Sequence, residues 1–165
     1  MVLPPALQQP APTPTPTPAS PGALARLLQT RGAVVTQTRK SLGILYGQGS
    51  VEVAKLAASD GTLSAAGLGL TITGPAPRDG EGRALLETAD LPGLLAALDR
   101  YAAEAPKLAA GDTDTAFTYT APGGLQLELA KDRDGVALTL RAGRGEARLA
   151  TTQIAALKQL LEKGK

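Results

Sequence analysis

Apolar and polar residues alternate with a period of two through most of this chain, which is the signature of half-buried β-strands. After a short helical turn over Ala23 to Gln29, the alternation predicts strand over Ala33 to Thr38 and Leu42 to Tyr46. These read as one long strand bent at Gly43. Val51, Val53 and Leu56 mark the next strand, Leu68, Leu70 and Ile72 a third, and Arg83 to Leu86 a fourth. Asp60-Gly61 and Asp79-Gly80 are turn dipeptides, because Gly accepts positive φ and Asp bonds its own backbone. The period then changes. Leu91, Leu94, Leu95, Leu98, Tyr101 and Ala105 recur at steps of three and four, giving a helix with one apolar face. Thr88 and Asp90 are suitable N-caps, Pro92 fits a first turn, and Pro106 is expected to end the helix.

The second part follows the same plan in fewer residues. Thr115 to Ala121 alternates, with Phe117 and Tyr119 on one face, and Ala121-Pro122-Gly123-Gly124 turns the chain. Leu125, Leu127 and Leu129 share a face of the following strand. Asp134-Gly135 leads into Val136, Leu138 and Leu140, and Glu146 to Leu149 is a short fourth strand. Thr151 or Thr152 caps a last helix that turns Ile154, Leu157, Leu160 and Leu161 inward. At an offset of 63 residues, Gly80, Gly82, Ala84, Leu86, Leu91, Leu94 and Leu98 meet Gly143, Gly145, Ala147, Leu149, Ile154, Leu157 and Leu161. Upstream, Gly67 to Ile72 aligns with Gly135 to Leu140, allowing a longer loop around Pro75 to Gly80 in the first unit. Matching turn glycines, strand positions and helix stripe indicate a structural repeat. The expected fold class is therefore α+β: two ββββα units, each a β-meander followed by an amphipathic helix, packed as one pseudo-symmetric domain. Their limits are residues 23–106 and 107–165, behind a Pro/Thr-rich tail over residues 1–22.

Composition narrows the chemistry. The chain has 165 residues, no His, no Cys, one Phe and three Tyr, so its core must be aliphatic. The tail is dense in Pro, Ala and Thr, and such a segment favours extended polyproline II or disorder; it reads as a spacer, a stalk or a docking peptide. Seventeen bases meet 15 acids, and acids are interleaved with nearly every base, so neither unit is a basic module. No stretch reaches the roughly 18 consecutive apolar residues of a membrane span. Met1 to Gln9 has neither the basic start nor the apolar run of an export signal. An exported or periplasmic location fits if such a signal was removed, and a cytoplasmic one otherwise.

The doubled ββββα order over residues 33–163 resembles the Whirly and PUR-repeat folds that bind single-stranded nucleic acid. That resemblance implies aromatic and basic side chains on an open sheet face, where bases stack and phosphates find cations. The residues that would serve are Arg39, Lys40, Tyr46, Phe117, Tyr119, Lys131, Arg133, Arg141, Arg144 and Arg148. Asp114-Thr115-Ala116-Phe117-Thr118-Tyr119 followed by Gly123-Gly124-Leu125 also resembles a pattern in small uncharacterised exported bacterial proteins, which implies export but no activity.

Without His or Cys the usual nucleophile–base pairs cannot be assembled. Ser41 or Ser50 with Lys40 or Lys55 is formally a Ser–Lys pair, but these read as solvent-facing strand and loop positions. Asp112 with Asp114 could hold a hard cation; Asp132-Arg133-Asp134-Gly135 opens like a calcium loop, lacks the later ligands, and reads as a hairpin turn. Gly43, Gly47, Gly49 and Gly143-Arg144-Gly145 do not join a strand to a helix N-terminus, so they make no phosphate cradle. No cofactor or metal is expected. The reading is a non-catalytic binding or scaffolding module with a protein or surface partner, contacted through a sheet face or the Pro75–Gly82 loop. The alternative is a single-stranded nucleic-acid binder using the second unit.

Overall fold

The computed structural model describes residues 22–111 and 114–165; the tail before Gly22, and Asp112, lie outside the described residues. Helix α1 spans Ala23–Leu28. Strands β1 (Thr36–Gly47), β2 (Gly49–Ser59), β3 (Ser64–Thr73) and β4 (Glu81–Glu87) form an antiparallel meander. Helix α2 (Leu91–Ala110) follows. A second meander holds β5 (Ala116–Thr120), β6 (Gln126–Asp132), β7 (Gly135–Ala142) and β8 (Gly145–Ala150), and α3 (Ile154–Glu162) closes the chain. The architecture is α+β with two ββββα units. β1 is one long strand whose register slips between Ser41 and Gly43, a bulge at the expected bend. Among the described residues no helix is long and apolar enough to cross a membrane.

The repeat is physical. Gly82, Ala84, Leu86, Leu91, Leu94 and Leu98 are buried, and so are Gly145, Ala147, Leu149, Ile154, Leu157 and Leu161. Each helix is entered through a 3-10 turn, Thr88–Asp90 or Thr151–Gln153, in place of a threonine cap. In each turn the last side chain reaches back to the main chain: Asp90 accepts the Glu87 N–H at 2.9 Å, and Gln153 accepts the Ala150 N–H at 3.1 Å. The third strands, however, align differently from the expectation. Leu68 lies opposite Leu86, and Leu138 opposite Leu149, so Leu68, Leu70 and Ile72 correspond to Leu138, Leu140 and Ala142. A shift of two residues leaves every side chain on its own face, so alternation alone cannot distinguish the two registers.

The helices are exchanged. α2 lies across β5, β6 and β7, the sheet of the other unit. α3 returns to the first sheet, where a side chain at Gly43 would meet Leu160. The two units touch at equivalent glycines on their core-facing sides. A Cβ on Gly82 would overlap the Ala142 carbonyl oxygen, and one on Gly145 would overlap that of Ile72. Ile72 is the ladder partner of Gly82, and Ala142 that of Gly145. The two overlaps are therefore one contact seen from both sides of a pseudo-two-fold axis. Near it, Gln48 in the β1–β2 turn exchanges both main-chain hydrogen bonds with Arg148 of β8, each 2.9 Å. The result is a single leucine-rich core drawn from both inner sheet faces and both long helices.

Two features break the symmetry. α1 packs Leu24 and Leu27 on the outer face of the first sheet, over Leu56 and Ala58, as a separate apolar cluster. The corresponding ladder positions of the second sheet carry Ala130 and Asp132, which give such a helix nothing to bury against. Second, α2 does not stop at Pro106 but runs through it to Ala110. The turn beyond it buries Leu108, and Lys131 Nζ donates to the carbonyls of Ala109 (3.2 Å) and Gly111 (2.8 Å), offsetting the hydrogen bond that proline removes. Helix α2 thus runs four residues past Pro106, where it was expected to end.

Candidate functional site

The cations singled out in the sequence are scattered, and most are engaged. Arg39 lies on the outer face of the first sheet, 2.9 Å from Glu52, and holds that carboxyl below the usual carboxylate range. Lys40 is exposed on the same edge strand. Lys131 caps α2, Arg133 sits in the β6–β7 turn, and Arg144 sits in the β7–β8 turn beside Gly80. Only Arg141 and Arg148 are brought together, on the outer face of the second sheet. There Arg141 Nε meets Glu146 at 2.7 Å with Glu128 at 3.7 Å, and Arg148 meets Asp132, whose carboxyl it holds low. This face forms a shallow hollow of about 340 Å³ floored by Ala130 and Ala137. Its charges are mutually satisfied. Tyr46 is 70% exposed, on the first sheet, far in sequence and on a different sheet from Phe117 and Tyr119. Asp132-Arg133-Asp134-Gly135 is the expected hairpin turn, with the Asp134 N–H donating to Asp132 at 2.8 Å.

A different place collects the remaining rings. Among the described residues β5 is an edge strand, paired only with β6. Phe117 and Tyr119 project from it beneath α2, half-buried, and Tyr101 comes down from α2 to meet them. Tyr101 and Phe117 rings are 6.5 Å apart at 49°, and the Arg100 guanidinium lies 5.4 Å from the Phe117 centroid. Along α2, Gly93, Ala96, Ala97 and Arg100 fall at helical spacing, and these small residues leave a groove of about 440 Å³ between helix and strand. The Tyr101 hydroxyl donates to the carbonyls of Phe117 (2.9 Å) and Leu127 (3.1 Å). Burial pushes its phenol up to about 12, with the Glu128 carboxylate adding to the rise.

Those two bonds fix which way the β5 main chain faces. One hydroxyl can reach both carbonyls only if both point into the gap between β5 and β6. The Ala121 N–H, which donates to Leu125 at 2.8 Å, obeys the same alternation. Odd-numbered residues of β5 therefore bond inward to β6, and the N–H and C=O of Ala116, Thr118 and Thr120 face outward from the edge. This edge has no charge, no proline and no bulge along Ala116–Thr120. In the first sheet, the edge strand β1 carries Arg39, Lys40 and the Ser41/Gly43 slip, all features that discourage pairing.

Phe117 and Tyr119, both named from sequence, reach this groove. Arg100, the small stripe of α2 and the edge itself were missed. The stripe was visible as Gly93, Ala96 and Ala97, but only the exchanged helix shows that it faces β5 rather than its own sheet. The chain matches no family model and no curated protein sequence.

Proposed function

We propose that the protein is a non-catalytic scaffolding module that binds another protein by adding its strand to the β5 edge. The observation carrying this reading is the unguarded edge at Ala116, Thr118 and Thr120 beside an aromatic-lined groove, whereas the first sheet's edge strand β1 is guarded. Main-chain bonds would give affinity, and alternate side chains entering the groove under α2 would give selectivity. Arg100, held over Phe117 without an acidic partner among the described residues, favours an acid or a further ring on the incoming strand.

The test is amide hydrogen exchange on the full chain, titrated with extended peptides alternating aromatic and threonine residues. Exchange should slow at Ala116, Thr118 and Thr120 and stay unchanged in β1. A full panel giving no protection at these amides would end the reading. For single-stranded nucleic acid, Arg39, Arg141, Arg148 and Lys131 would first have to leave their present partners. We expect no salt-dependent anisotropy change with labelled oligonucleotides, before or after changing Arg141 and Arg148 to Ala.

A further inference from the structure

We infer that the strand accepted by β5 is β5 of a second copy of this chain, so that the module is a two-fold dimer with one continuous eight-stranded sheet. This rests on the strand-addition reading above and names its partner.

The argument is self-complementarity. An isologous contact must match a surface to itself, so any charge on the axis would face its own copy. β5 has none, and its outward groups are spaced symmetrically about Thr118. In an antiparallel pair centred there, Thr118 faces Thr118, and Ala116 faces Thr120 of the partner. Those three positions are the ones whose N–H and C=O point away from β6, so each can exchange main-chain bonds across the axis. The pairs in between are non-hydrogen-bonded and closer, and they place Phe117 opposite Tyr119 of the other copy, twice. Threonine thus meets threonine on the outer face, and ring meets ring on the inner one. Pro122, with no N–H to give, ends the pairing just past Thr120.

The helices allow it. α2 is centred over β6, so with strands about 4.8 Å apart the two copies of α2 stand roughly 14 Å from one another. Helices in direct contact sit at about 8–10 Å, so a layer of side chains fits between them. Four rings fill that layer, two from each copy, against the Gly93–Ala96–Ala97 stripes. Each Arg100 lies over the Phe117 end of its own strand, so the two guanidiniums fall on opposite sides of the axis. The interface is short, which points to a concentration-dependent equilibrium rather than a permanent dimer.

Sedimentation equilibrium of the full chain over a concentration series reads this directly. Wild type should self-associate, with hydrogen exchange at Ala116, Thr118 and Thr120 slowing as concentration rises. Thr118→Pro removes an outward N–H rather than one bonded to β6, and should weaken the dimer at least about tenfold. Thr118→Lys, which can pair with its ladder neighbour Glu128 inside one chain, sets two cations across the axis and keeps the test valid if the proline variant fails to fold. Thr118→Val should dimerise as wild type. A chain that stays monomeric at every soluble concentration overturns the second-copy inference. Strand addition itself would still stand if added peptides protect the edge. A dimer indifferent to both Thr118→Pro and Thr118→Lys uses another surface, and that also overturns it.

Discussion

At Tyr101 a single hydroxyl reports on the whole helix–sheet contact. Its folded pKa lies above that of a free phenol, because burial penalises the anion and because the Glu128 carboxylate repels it. The stability it contributes is therefore complete below about pH 10 and is lost as pH rises from there toward 12. Tyr101→Phe should cost about 1 kcal/mol in urea denaturation at neutral pH and flatten the alkaline fall. Gly82 and Gly145 are the other decisive single residues. Either one changed to Ala must push a carbonyl aside at the unit–unit contact, for about 1–3 kcal/mol by thermal unfolding. Both glycines were legible as matched repeat positions. Their reason was not, because sequence shows which residues correspond but not that the equivalent pair meets at the axis.

Among the elements, α1 is the least secured. Its two apolar anchors belong to a cluster apart from the main core, and its first N–H groups, Leu24 and Ala25, donate to Glu87 on β4 at 3.0 and 3.3 Å. Glu87→Ala should destabilise α1 by about 1 kcal/mol, seen as faster amide exchange at Leu24 to Leu28 while β6 and β7 keep their protection. The strands and helices themselves were nearly all readable, since alternation and the three-to-four spacing of leucines are local signals. Pro106 misled because helix termination was argued from the backbone of one residue. The compensation, Lys131 on the last carbonyls and Leu108 in the core, comes from more distant chain. The β5 groove was hidden for the same reason: whether a strand is an edge, and which helix lies above it, depends on partners far away in sequence.

For the whole molecule, exchange of the helices decides what can exist alone. Each sheet is closed by the other unit's helix, so residues 22–111 lack α3 and residues 114–165 lack α2. Neither fragment should fold separately, while mixing the two should restore native circular dichroism and a cooperative melt. Two independent folds, one per fragment, would contradict the exchange. Order of synthesis matters here as well. The first meander leaves the ribosome early, yet α3, which shields it, is made only after α2 and the whole second meander, so a leucine-lined surface stays wet until α3 has emerged. Nascent chains halted before Ile154 should bind a hydrophobic dye strongly and call on chaperones, and completion of the last turn of α3 should quench both.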